Sequence, residues 1–564
     1  MIYDILEVFN EIYKEKGERI ILDSYNLKDG LYIKVNDSAQ YEVFVKKSAD
    51  NKKSETGHAF LDENGINRTD EMEWFKIRDY HSNVIEVGKS YDVPQKTIHN
   101  NNYLTLFMKI DKFLEKDFDY IKTKLFDKVS DFAGFDTENE KLIVNSYNDY
   151  ICQPNRKTDI EKKTQTLGSI FCKLQDIAKQ HSPKEYIRVF FDEDEKRYEQ
   201  ESSIYISLKI YNKNEYSKNV DGVIYGLSNY NMGVNDKKPF LKHKTKKLPY
   251  PFMIRTDTAL KIKIFFDWLN FQGYKIEGLQ KIFLNKYPDN GQSIINDFDY
   301  LPEHENKKNR INILKKPISV INFVKLRDKE SFKEDFEITE LSQLENVVNS
   351  IFYNGYLINN YYDEVYSKVD DKLANLIYTT RGAMINYFKK HRKEEFYQVV
   401  EKFGTHFIIG HLRRNNSYKA KESLNLKLSL IKHNEGDIMD INAMQNRMLD
   451  KLKTSNYTAL NKEEFSYLSG QVATYLLDKS EKYEKNADLL EPFFRTNTAK
   501  RLKENIRFIF FKYKHAVPQK YMLFNNAIGL ISAYETDDRL PYDIDAFLVG
   551  ALTNNIFYTK KEEN

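Results

Sequence analysis

Cysteine is nearly absent: Cys152 and Cys172 are the only two in 564 residues. Neither has a C-x-x-C neighbour, which excludes the zinc and dithiol motifs built on that spacing. Two isolated thiols fit a reducing cytoplasm, where they are expected unpaired and partly buried. Long apolar runs are missing too. No stretch of 18 apolar residues occurs, so no membrane-spanning helix is expected and no membrane partner. The first residues, MIYDILEVFNEIYKEKGERI, place Ile2, Ile5, Leu6, Phe9 and Ile12 on one helical face. Three acids precede Lys14, and no continuous apolar core follows, so the segment is read as a helix rather than a signal peptide. Charge of one sign is also lacking: 87 Lys and Arg face 84 Asp and Glu, a net +3. That excludes a disordered polyelectrolyte and moves any polyanion-binding surface from net charge to local clustering. There is no internal repeat and no low-complexity tract.

The usual catalytic signatures are missing as well. Gly88-Lys89-Ser90 looks like the end of a phosphate loop, but the glycine required five positions earlier is Asn83. Asp192, Glu193, Asp194 and Glu195 are consecutive acids after a strand-like run, without a histidine in a ligand pattern, and read as a solvated turn. His406 and His411 are five apart, which suits neither one helix face nor H-E-x-x-H. No G-x-S-x-G and no Cys/His nucleophile pattern occurs. No enzymatic activity and no cofactor are expected.

What is present is ample core material: 40 Tyr, 37 Phe and 41% hydrophobic residues, enough for two to four structural units. Strand-like alternation is read in RIILDSY, GLYIKV, YEVFVKK and WFKIRDY between residues 18 and 95, and again in YIRVFFD (186–192), SIYISLKIYN (203–212) and DGVIYGLSNYN (221–231). A long helical pattern is read over 103–133 and another over 256–271. From about residue 340 onward Gly and Pro are sparse and the pattern is almost wholly helical. Apolar stripes over 462–480, 498–514, 518–534 and 543–557 need partner helices, hence a bundle. The expected fold class is α+β. A mixed α/β N-terminal body with antiparallel strands covers 1–435, and an all-α helical bundle covers 436–564, headed by Met439, Met444 and Met448.

Three segments carry candidate binding residues. From Glu491 to Lys520 eight Lys and Arg stand against two Glu, a local charge of about +6. The basic face is expected to include Arg495, Lys500, Arg501, Arg507, Lys512 and Lys514, with Tyr513 available for stacking on bases. A second cluster holds six lysines in eleven residues, Lys237, Lys238, Lys242, Lys244, Lys246 and Lys247. Pro239, Pro249 and Pro251 make it an extended loop, and a phosphate backbone is the natural neutraliser. The third is TIHNNNYLTLFMK, ending at Lys109. Asn100, Asn101 and Asn102 precede a pattern read as helix, so one is expected to be an N-cap. Their amides also suit base edges.

In order along the chain, HNNNYLTLFMK (99–109), NDKKPFLKHKT (235–245), YLSGQVATYLL (467–477), LLEPFFRTNTAKRLKENI (489–506), FKYKHA (511–516) and FLVGALTNNIFY (547–558) resemble the large subunit of type I CRISPR surveillance complexes (Cascade), most closely that of type I-B. The resemblance implies a non-catalytic DNA-binding subunit beside the 5′ end of the guide RNA. Such a subunit reads the protospacer-adjacent motif in duplex DNA, helps open the strands and helps recruit the helicase-nuclease. Its implied partners are guide RNA, target DNA, the backbone subunits and small subunits. The small subunit is implied to be a separately made copy of the C-terminal part. Guide pairing then reads the target sequence while protein reads a short motif and the backbone. A competing resemblance comes from EKFGTHFIIGHL (401–412), which looks like the signature of perforin-like pore formers, although Arg413-Arg414 stands where that family has glycines. A structural scaffold is a third reading.

Overall fold

The computed structural model describes residues 2–47, 59–212, 217–228, 253–272, 282–289, 292–301, 313–326, 333–365, 369–436, 439–454, 458–480, 490–537 and 539–558. By internal contacts the chain divides into two units, Met1–Asp299 and Tyr300–Asn564. The fold class is α+β, with the sheet structure concentrated in the first unit and helices dominating the second.

The first unit is built on a five-stranded sheet of β1 (Gly30–Val35), β2 (Tyr41–Lys47), β3 (Ala59–Asp62), β4 (Thr105–Lys109) and β5 (Tyr186–Phe191), in the order β3-β2-β1-β5-β4. All neighbours are antiparallel except β1 and β5, which run parallel with Gly30 opposite Tyr186. Gly30 is required there. Its φ is +145°, and a Cβ would stand 2.5 Å from the Tyr186 carbonyl oxygen. Around the sheet lie α1 (Ile2–Lys16), α2 (Thr69–Ser82), α3 (Pro154–Ala178), α4 (Glu195–Lys209) and α5 (Thr256–Phe271). One core joins them, and aromatic rings such as Tyr32, Phe60, Phe75, Phe107 and Phe190 fill its centre. A small sheet of β6 (Lys218–Val220), β7 (Val223–Gly226) and β8 (Ile254–Arg255) and a hairpin of β9 (Ile282–Asp289) and β10 (Gln292–Tyr300) complete the sheet structure of this half.

Four expected elements differ. RIILDSY opens as a short helix, Arg19–Leu22, and ends in a turn rather than forming a strand. WFKIRDY lies in α2 and most of SIYISLKIYN lies in α4, as helix rather than strand. Helices α2 and α4 bury polar residues, so their sequence lacks the clean apolar stripe that marks a helix. Arg78 donates to the Glu193 carbonyl at 2.8 and 3.0 Å, and Glu201 is locked to Arg156 of α3 at 2.7 and 2.8 Å. The stretch 103–133 opens with β4, and helix follows only from Ile110, in short pieces. Cys152 and Cys172 are unpaired as expected but exposed rather than partly buried.

The second unit opens with the antiparallel pair β11 (Ile313–Val320) and β12 (Phe336–Glu340) and continues in helices. The longer ones are α6 (Leu341–Ile351), α7 (Asp371–Phe388), α8 (Glu394–Arg413), α9 (Ser417–Glu435), α10 (Ile441–Lys453), α11 (Lys462–Leu477), α12 (Ala499–Tyr513), α13 (Met522–Ala533) and α14 (Ile544–Leu552). The bundle's starts are encoded locally. Asp440, Asn461, Thr498 and Asp543 each cap a helix through the side chain, and Asn461 with Glu464 forms a capping box. Helices α11 and α14 touch backbone to backbone. A Cβ on Gly470 would lie 2.2 Å from the Phe547 carbonyl oxygen, and one on Gly550 2.1 Å from that of Tyr467.

The expected boundary at 435/436 falls inside this second unit. Ile408, Leu412, Leu424 and Leu428 of α8 and α9 share one core with residues 441–557. Lys427 is 1% exposed and reaches Asp545 of α14 at 2.7 Å and Thr405 of α8 at 2.7 Å. No described helix is long and apolar enough to cross a membrane.

Candidate nucleic-acid interface

The physical candidate is the outer face of α12. Thr498 accepts from the Arg501 amide and sets the helix start. Ala499, Leu502, Ile506, Ile509 and Tyr513 recur at helical spacing and are buried. The opposite face must then turn to solvent, and Lys500, Arg501, Glu504, Arg507, Phe508, Phe511 and Lys512 are all exposed. At about 3.6 residues per turn, Phe508 and Phe511 run along the middle of that face beside Glu504. Lys500 and Arg507 form one edge, and Arg501 and Lys512 the other. Phe508 is 71% exposed and Phe511 53%, an unusual cost for two large rings on one helix. The Arg507 guanidinium lies 5.6 Å from the Phe511 ring centroid, and the Lys514 ammonium, one residue past the helix, 5.3 Å. Two rows of cations with aromatic rings between them suit a single strand: charge follows the phosphates and rings stack on bases.

Of the six residues expected on this face, Lys500, Arg501, Arg507, Lys512 and Lys514 are exposed on it or just beyond the helix. Arg495 is exposed but precedes the helix, and it shares Glu491 with Arg413: 3.0 Å from Arg495, 2.7 and 2.8 Å from Arg413. The Arg413 hydrogen bond, aided by Arg495, holds the Glu491 carboxyl below its ordinary range. Arg495 thus offers a partly compensated charge. Tyr513, expected to stack on bases, is buried. The exposed rings are Phe508 and Phe511. Their signal in the sequence is two aromatics three apart on the face shared with Lys500, Glu504 and Arg507.

The asparagine triplet is corrected. Asn100, Asn101 and Asn102 are at most 1% exposed, and β4 rather than a helix follows them, so none is an N-cap and none presents an amide to bases. The Asn100 amide donates to the carbonyls of Asn102 and Thr105 at 2.8 and 2.7 Å. The Asn101 amide donates to the carbonyls of His81 and Asn83 and to the Ser202 hydroxyl at 2.9, 3.0 and 3.1 Å. The Asn102 amide donates to the Ser82 hydroxyl at 3.1 Å, and its oxygen accepts from the Leu104 amide at 3.0 Å. The triplet pins the chain before β4 to α2 and α4. Lys109 ends β4, an edge strand, and is exposed. Lys237, Lys238, Lys242, Lys244, Lys246 and Lys247 lie outside the described residues.

The remaining motifs have packing roles. Glu193 pairs with Arg197 at 2.9 Å and with Lys163, and Asp194 caps α4. No group of three His, Cys, Asp or Glu able to hold a metal occurs among the described residues. Gly404 and Thr405 sit inside α8. A Cβ at Gly404 would lie 2.7 Å from Lys427 Cδ, so the glycine gives the buried lysine its path, and Thr405 accepts its proton. His411 is buried, its Nε2 donates to the Ile351 carbonyl at 2.9 Å, and burial pushes its pKa down to about 4. No family model, curated protein or solved structure matches the chain.

Proposed function

We propose that this chain is the non-catalytic large subunit of a type I-B CRISPR RNA-guided surveillance complex, working in the cytoplasm with guide RNA, target DNA, the backbone and small subunits and the helicase-nuclease. Within it the chain recognises the protospacer-adjacent motif in duplex DNA and assists strand opening. The complex is supplied by the ordered resemblances along the chain. The observation that carries the DNA-binding part is the α12 face, where Phe508 and Phe511 stand exposed between two rows of cations. Such a surface prefers an unpaired strand, because stacked bases inside a duplex offer no free ring face. It is therefore assigned to the displaced strand. Motif reading belongs to groups other than the buried asparagines.

The test is an assembled complex carrying Lys500→Glu, Arg501→Glu and Arg507→Glu. Helicity should be unchanged and strand opening on duplex target should slow. A pre-opened target whose displaced strand is absent should be affected much less. Opening at the original rate on duplex target sinks the assignment of this face.

A further inference from the structure

In the first unit a cleft of about 300 Å³ is lined by Gly88, Lys89, Ser90, Lys128, Phe135 and Lys209 among others. Three ammonium groups converge on it from three separate segments. Lys89 donates to the carbonyls of Lys209 and Tyr211, and Lys128 to the Tyr91 carbonyl at 2.7 Å. Lys209 stands 4.6 Å from the Phe135 ring centroid. Backbone acceptors and a ring therefore hold the cations in place, instead of leaving them to solvent. An ammonium has three protons, and the bonds named use two on Lys89 and one on Lys128.

Converging these charges costs free energy that nothing on the cleft wall fully offsets. Burial is the main reason that Lys89 is pushed down to about 8 and that Lys209 is lowered, and the charge of Lys209 on Lys89 and of Lys128 on Lys209 adds to it. Glu86 and Glu140 act in the opposite direction. Glu140 Oε2 is already accepting from the Thr137 amide and hydroxyl at 3.2 and 2.7 Å. A dianionic group entering the cleft would relieve the repulsion, and burial would strengthen its charge-assisted hydrogen bonds.

We infer that this cleft binds a phosphate monoester, carried either by a free nucleotide or by the end of a nucleic-acid strand. A monoester brings nearly two negative charges and three acceptor oxygens to three cations. Phe135, Ala133 and Leu208 on the same wall leave an apolar side for the body that carries it. The site lies in the other unit from α12, and its failure leaves the α12 reading intact.

Calorimetry on the full chain tests it with AMP, adenosine, and a tetranucleotide with a 5′-phosphate or a 5′-hydroxyl. AMP or the 5′-phosphorylated strand should bind at least about tenfold more tightly than its phosphate-free counterpart, the size expected from charge-assisted bonds. A larger gain of AMP over adenosine assigns the cleft to a free nucleotide, and a larger gain of the 5′-phosphorylated strand over its 5′-hydroxyl counterpart assigns it to a strand end. Lys209→Gln and Lys128→Met should each weaken binding by about tenfold or more in a chain that still folds, Lys128→Met with a lower thermal midpoint because the Tyr91 carbonyl loses its donor. Binding of adenosine as tight as AMP, no binding of either phosphorylated probe, or wild-type affinity in either folded variant overturns the inference.

Discussion

The Asn100–Asn102 loop and the outer face of α12 are both dense in polar groups, and those groups point in opposite directions. In the loop every amide is turned inward, onto carbonyls and hydroxyls of α2, α4 and the loop itself. On α12 the cations and two phenylalanine rings are turned outward. A buried amide has a protein partner and its removal is a stability event. An exposed ring adds little to the core, and on the proposed reading its removal is a binding event. On that reading exposure, more than residue chemistry, separates structural from functional use of a polar side chain here.

The largest expected effect tests the inward half of that comparison. Asn101→Leu leaves the buried His81 carbonyl and the half-buried Asn83 carbonyl without this donor, which should cost about 3 kcal/mol and lower the thermal midpoint of the first unit. Below that midpoint, nucleic-acid affinity should be unchanged. A variant of normal stability with altered motif preference would return the triplet to base reading. Next come alternative starts of the C-terminal helices. A fragment beginning at Met439 keeps the Asp440 cap and buried Ile441, whereas one beginning at Met444 loses both. The shorter fragment should be less stable by about 3 kcal/mol, from the cap and one buried aliphatic side chain. Equal denaturation midpoints would show that the Asp440 cap and the first turn of α10 contribute nothing outside the full chain.

His411 gives a smaller, pH-dependent effect in the unit that carries the basic face. Its folded pKa is about 4, below the unfolded value near 6.5. Between those values the unfolded chain binds more protons, so stability is full above about pH 6.5 and falls on acidification toward pH 4. The loss at pH 5 should be about 2 kcal/mol. His411→Gln should flatten this limb in a series of denaturation curves; an unchanged limb would assign it to other groups. The smallest effect on stability is expected from Phe508→Ala with Phe511→Ala, within about 0.5 kcal/mol, because both rings are exposed. Affinity for single strands should nevertheless fall by about 1–3 kcal/mol per lost stack, read by fluorescence anisotropy. Stability loss without affinity loss would make these rings structural and erase the contrast with the loop.

Most helices after residue 340 were legible because apolar side chains recur at helical spacing, even in α11, which is buried on nearly every side. Residues 462–477 and 499–513 carry apolar side chains at helical spacing, capped by Asn461 and Thr498. The basic face was legible for the same reason, since buried positions 502, 506 and 509 dictate which cations point out. The first unit was harder to read. Its α2 and α4 bury Arg78, Asp79 and Glu201 among apolar neighbours, and in short aromatic-rich windows a period of 2 and one of 3.6 look alike.

The sequence by itself determined the α+β class, the helical second half and the cation-rich face of α12, because spacing and caps act over a few residues. Tertiary structure alone decided that Asn100–Asn102 turn inward, that Tyr513 is buried while Phe508 and Phe511 are not, and that the core continues across residue 435. Each of those depends on a partner far along the chain: Ser202 for Asn101, Asp545 for Lys427. Local pattern carries no record of such partners, because burial is set by whatever distant surface the fold brings alongside.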